Sequence, residues 1–197
     1  DPAIMQRGLD RFNLRETARL LGIPLIPASQ PLGPSDDGIE VGAKMGMPLY
    51  VKAVQGGVIQ RVDSFEDLAG AVESTRTAAG IITGVPQVYL ERALDNVRQI
   101  GTYIVGDRHG DCFHLGHADK SLQLRFRSWC EEMGPDLLQG DLHHEMGEAA
   151  LALAEAIEFV GVGRVRWALT PHGGWYLLGL SSRLTTGYSL VEQVHNI

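Results

Sequence analysis

The chain has 197 residues, 44% of them hydrophobic and 21% charged, which is enough apolar material to bury a core as one compact domain or two small lobes. A formal net charge of −7 argues against nucleic acid as the main partner, because phosphate-backbone binding is driven by clustered Lys and Arg. No apolar run reaches bilayer length and Asp1-Pro2-Ala3 lacks a signal-peptide pattern, so a cytoplasmic protein without membrane contact is expected, with Cys112 and Cys130 as free thiols.

In chain order, the apolar spacing predicts a helix over 10–21 stopped by Gly22, then a short proline-bracketed strand over 23–27. Ser35 is expected to cap a helix through Lys44 that ends at Gly46. Strands over 48–54 and 58–62 around Gly56-Gly57 read as a hairpin carrying Lys52. Ser64-Phe65-Glu66-Asp67 resembles a capping box and should open a helix to about Ala79. A strand over 87–92 follows. From Ile100 the pattern is strand, a 107–111 turn and strand, with Leu122, Leu124 and Phe126 alternating against Gln123, Arg125 and Arg127 on a sheet with one wet face. Asp141 is expected to cap a helix over 146–159, followed by strands over 162–169 and 175–183 around Pro171-His172-Gly173-Gly174 and a last helix over 189–195. Trp129, Trp167 and Trp175 read as core or lobe-interface packing. His143, His144 and Glu148 offer an i, i+4 pairing, but with no HExxH order and no third strong ligand close by, a metal site there is not expected.

Two segments carry the most information. Val88-Tyr89-Leu90-Glu91-Arg92-Ala93-Leu94, then Val97-Arg98-Gln99-Ile100, Gly106 to Asp111 and His114-Leu115-Gly116 form one run. Met146-Gly147-Glu148-Ala149-Ala150 through Gly161-Val162-Gly163 form the other. They resemble the ATP-grasp core of biotin carboxylases, the ATP-using part of acetyl-CoA, propionyl-CoA and pyruvate carboxylases. The resemblance implies an α+β chain with the ATP-grasp fold, a small lid lobe hinged on a larger antiparallel-sheet lobe. It divides the chain into an N-terminal helix and linker over 1–25, a lid subdomain over 26–91 and a central subdomain over 92–197. It covers nearly this whole chain but not a whole biotin carboxylase, so the chain is expected to be part of a longer polypeptide.

The site residues follow from the same resemblance. The family holds magnesium with a Glu of its "TVEF" strand and the Glu and Asn of "EMNTR"; the matching positions here are Arg166, Gly179 and Ser181. Magnesium takes hard oxygen ligands, and an Arg removes one while adding positive charge, so magnesium is not expected. The acid that follows "TRLQV", taken as the base that activates bicarbonate, is Gly187. In "RHIE" the His and Glu become Gln99 and Gly101, and in "QRRHQK" Gln123 and Arg125 remain while the His and Lys become Phe126 and Ser128. The glycine-rich lid is reduced to a plain hairpin. Lys52 matches the lid lysine on ATP phosphate, with anion contact and a solvent-facing side chain both open. Arg11 falls at a phosphate-binding lysine, and Glu91, with Arg92 and Leu94 beside it, at the adenine hinge. Gln123 completes the cofactor-side set. Arg183 matches the Arg that stabilises the anionic intermediate, and an ion pair with Glu192 is the competing role.

The expected function is a non-catalytic structural or regulatory part of a biotin-dependent carboxylase assembly, with ATP binding left open. The alternative is an ATP-binding domain that still supports ATP-dependent carboxylation of biotin together with other domains. A third class is binding of another anion through Arg11, Lys52, Arg166 and Arg183. A biotin carrier and a carboxyltransferase are the implied partners, together with self-association.

Overall fold

The computed structural model describes residues 11–55, 57–124, 127–134, 136–138 and 140–196. They fall into two compact units, Ile26–Asp95 and the remainder of the chain, each with its own core.

In the 26–95 unit, α1 of the other unit (Arg11–Leu20) has already ended, and the first helix is α2 (Ile39–Met45). Its cap is Gly38, at φ +77°, rather than Ser35, because the Asp36 and Asp37 carboxylates accept from the amides of Gly38 and Ile39 and fold the chain just before the helix. Strand β1 (Leu49–Ala53) is central, paired antiparallel with β2 (Ile59–Val62) and β3 (Val88–Arg92). Gly56 lies outside the described residues. Helix α3 (Phe65–Thr83) starts where expected, with the Ser64 hydroxyl accepting from the Glu66 amide at 3.2 Å, and runs past Ala79 to a left-handed stop at Gly84. Leu68, Ala71 and Val72 of α3 pack on Leu49, Val51, Val62, Val88 and Leu90.

The other unit is built on a five-stranded antiparallel sheet. Its strands are β4 (Arg98–Gly106), β5 (Cys112–Asp119), β8 (Glu132–Met133), β9 (Gly161–Leu169) and β10 (Trp175–Ser181), in the order β10-β9-β4-β5-β8. A two-residue ribbon of β6 (Gln123–Leu124) and β7 (Arg127–Ser128) stands apart. The predicted strand over 23–27 is reduced to isolated bridges at Leu25 and Ala28. Helix α4 (Leu142–Ala156) begins and ends earlier than predicted, and Asp141 precedes it without a side-chain capping bond. It lays Met146, Ala150, Leu153 and Ala154 against Ile100, Ile104, Val165 and Trp167. Helix α5 (Gly187–His195) covers Tyr103 and Ala118 of β4 and β5 with Tyr188 and Val191.

The alternation of β9 sets its two faces: Val165, Trp167 and Leu169 enter the core, so Arg164 and Arg166 share the opposite face. Trp167 donates from Nε1 to Thr102 Oγ1 at 2.7 Å, and its ring meets Trp175 edge-on at 5.2 Å. Trp129 departs from the reading of all three tryptophans as packed: it is 79% exposed beside exposed Leu122 and Leu124. The alternation of that segment was legible but its phase was not, because Gln123 turns inward to donate to Gln99 Oε1 and the Lys120 carbonyl. No helix among the described residues is long and apolar enough to cross a membrane.

Candidate functional site

Strand register brings the three positions matched to magnesium ligands together. Arg166 lies opposite Gly179 of β10 on one side and Gly101 of β4 on the other, and Ser181 lies opposite Arg164. The flanking glycines leave room for two long cations. A Cβ at Gly101 would come within 2.6 Å of Arg164 Cδ, and one at Gly179, whose φ is +145°, within 2.9 Å of Arg166 Nη2.

Arg164 and Arg166 line a cavity of about 100 Å³ with Lys120, Gln99, Gln123, Ser128 and Ile100. Beneath it Glu131 pairs with Lys120, accepts from Tyr103 Oη at 2.6 Å and lies 3.9 Å from Arg164 Nη1. Lys120 and Arg164 share this one carboxylate, and Arg166 lines the same cavity. Lys120 is 7% exposed; burial first and then the Arg164 guanidinium pull its ammonium down to about 8. Arg164 Nε and Nη1 are buried with no hydrogen-bond partner among the described residues.

Gly187, at the position matched to the family's base, is buried where α5 begins. A Cβ there would overlap Tyr103 Oη and lie 2.5 Å from Glu131 Oε2. The Tyr103–Glu131 hydrogen bond fills the space an acidic side chain would need.

In the 26–95 unit, Lys52 and Glu91 form an ion pair on diagonal positions of β1 and β3, with the ammonium 5.6 Å from the Tyr50 ring centroid. Lys52 is 9% and Glu91 4% exposed, so the solvent-facing alternative for Lys52 does not hold: its charge is directed inward onto a carboxylate. Arg92 donates from Nη1 to the Met45 carbonyl at 2.5 Å, and Leu94 is half-buried after β3. Arg11 opens α1, half-buried, in the other unit.

Arg183 is exposed and makes no ion pair among the described residues, which corrects the expected pairing with Glu192. Both side chains lie at the surface, where water solvates them and pairing gains little. Arg125 and Phe126 lie outside the described residues. The sequence reading missed Lys120, Arg164 and Glu131. Arg164 was recoverable, because residues two apart on a strand share a face with Arg166; Lys120 and Glu131 reach the cavity through sheet register and carry no local signal.

Of the grouping His143, His144 and Glu148, only His143 belongs to the histidine cluster that the structure forms. The structure sets His143 beside His114 and His117 of β5, with a ligating atom of each within 4.8 Å of the others.

The profile of the family described as "Carbamoyl-phosphate synthase L chain, ATP binding domain" matches residues 10–196. The chain is 30% identical over 195 residues to biotin carboxylase 1, chloroplastic, of Populus trichocarpa, covering 95% of this chain and 36% of that protein. Against a crystal structure of a biotin carboxylase–beta-gamma-ATP complex from Campylobacter jejuni, the TM-score is 0.92 at 26% identity, covering 98% of this chain and 44% of that one. The biotin carboxylase domain dimer of a Hydrogenobacter thermophilus 2-oxoglutarate carboxylase, in complex with MgADP, ADP and bicarbonate, has the same fold, with a TM-score of 0.89 at 22% identity over 98% of this chain and 43% of that one. The chain spans less than half the length of the curated relatives it matches.

Proposed function

The chain belongs to the carbamoyl-phosphate synthase L chain ATP-binding domain family, with the ATP-grasp fold of biotin carboxylases, and from that premise we propose that it is a non-catalytic structural or regulatory part of a biotin-dependent carboxylase assembly. The observation that carries the proposal is the guanidinium of Arg166, set against Gly179 in a cavity shared with Arg164 and Lys120.

The donor set does not fit a magnesium ion. Hard divalent cations need oxygen ligands close to ideal octahedral geometry, whereas the three matched positions supply a guanidinium, a bare glycine and one hydroxyl. At contact distance and an effective dielectric near 20, a unit charge pair is worth about 4 kcal/mol, and here its sign is repulsive toward a cation. Phosphoryl transfer rests on cations and carboxylates placed around the phosphates; among the described residues the lining of this groove carries Lys120, Arg164 and Arg166, and the carboxylate beneath it, Glu131, is engaged by Lys120 and Tyr103. The filled space at Gly187 supports the same reading, since no acid occupies the position matched to the base.

In this reading Lys120, Arg164 and Arg166 give the groove affinity for an anionic group without metal, and Glu131 keeps two of those cations in place. The partners are the biotin carrier and carboxyltransferase parts of such an assembly, and a second copy of the chain.

Titration with ATP, followed by calorimetry or thermal shift with and without magnesium, tests the proposal. The expected outcome is that magnesium adds nothing to any stabilisation by nucleotide. Stabilisation that appears only with magnesium would overturn it in favour of an ATP-binding domain that supports biotin carboxylation together with other domains.

A further inference from the structure

We propose that His114, His117 and His143 form a binding site for a divalent transition metal of the zinc type, on the opposite face of the sheet from the cationic groove. Two histidines three apart on a regular strand point to opposite faces. Here the register shifts along β5: Thr102 pairs with His117 and Ile104 with His114, so three steps on β5 oppose two on β4. The extra residue is a bulge, and it turns both rings toward α4. His143, in the first turn of α4, closes the group, with ring centroids 4.6 Å from His117 and 5.8 Å from His114.

The helix is shaped to admit the His114 ring. A Cβ at Gly147 would come within 2.8 Å of His114 Nε2, so only glycine lets the imidazole approach α4 at that level. His117 has the support that metal-bound imidazoles share, in which the second ring nitrogen is held by a hydrogen bond. Its Nδ1 lies 2.8 Å from Thr102 Oγ1, which Trp167 Nε1 fixes from behind, and its Nε2 lies 3.0 Å from the His143 carbonyl. A carbonyl only accepts, so in the metal-free protein Nε2–H donates to it and Nδ1 accepts from the threonine hydroxyl. Metal binding exchanges the tautomer: Nδ1–H then donates to Thr102 Oγ1, and Nε2 turns from the carbonyl to the metal.

Nitrogens on a tetrahedral zinc stand about 3.4 Å apart, given Zn–N bonds of about 2.0–2.1 Å. The nitrogens here are at most 4.8 Å apart, and the exposed His143 ring is the member able to rotate inward. The Glu148 carboxylate, on the helix that carries His143 and Gly147, acts on the charge of the His114 ring. Three imidazoles with a water select zinc, nickel or copper over magnesium or calcium. This site is independent of whether the groove binds nucleotide.

The test is calorimetric titration of tag-free protein with zinc, together with the absorption spectrum after cobalt addition. One equivalent of zinc should bind, and cobalt should give a tetrahedral spectrum. His143→Ala, which alters only an exposed ring, and His114→Gln should each weaken zinc affinity at least tenfold, while His172→Ala in the exposed turn before β10 leaves it unchanged. Absence of stoichiometric zinc binding, or binding that survives both His143→Ala and His114→Gln, would overturn the proposal.

Discussion

Gly179 and Arg166 fit as a pair, and each constrains what the other position can hold. At φ +145° a side chain is strained before it touches anything, and its Cβ would also press on the Arg166 guanidinium. Gly179→Ala is therefore expected to cost about 2 kcal/mol in chemical denaturation. Adding Arg166→Ala should recover only the steric part, leaving the backbone part in place. Gly187→Glu is expected to cost more, about 3 kcal/mol or a failure to fold, because it breaks the half-buried Tyr103–Glu131 hydrogen bond as well as overlapping it. Lys120 gives a pH signature. Its ammonium titrates at about 8 in the folded chain and near its ordinary value of about 10.4 when unfolded, so between these values the unfolded chain holds the extra proton. Stability should then be flat below pH 8 from this group and rise with pH above it. Denaturant midpoints at pH 7, 8.5 and 9.5 should show a rise in the native chain that Lys120→Met removes.

At the scale of elements, sequence pattern was most informative where a local rule decides the outcome. Ser64 followed by Glu66 and Asp67 marked the start of α3, and Ser64→Ala should lower stability by about 1 kcal/mol in urea denaturation. The same rule failed at Ser35, because Asp36 and Asp37 bind their own neighbouring amides first and move the helix start to Ile39. The alternation through 122–124 was visible, but period two does not say which face is wet; Gln123 takes the inner side because Gln99 and the Lys120 carbonyl receive its amide. The bulge of β5 was illegible for a different reason. It exists only in the pairing with β4, and it decides that His114 and His117 share a face, so the histidine grouping read from the helix alone lacked two of its members.

At the scale of the whole molecule, the described residues bury separate apolar clusters, one under α3 on the three-stranded sheet and two on the faces of the five-stranded sheet. Separate cores unfold with reduced mutual cooperativity, so scanning calorimetry should give a calorimetric enthalpy larger than the van't Hoff enthalpy; a ratio of one would mean a single cooperative unit. The fold was legible because the run from Val88 to Gly116 and the helix before β9 keep a family pattern. The groove was legible only in part: the family pattern marks Arg166, Gly179 and Ser181, whereas Lys120 and Glu131 arrive from the residue after β5 and the residue before β8.

The glycine-flanked guanidiniums also bear on protein engineering. A carboxylate at 179 meets Arg166, and one at 187 meets a tyrosine already engaged with Glu131. Libraries that first place a carboxylate at 179 or 187 would cross destabilised intermediates, so recovering a cation-chelating groove calls for concerted replacement of neighbours on β9, β10 and the start of α5.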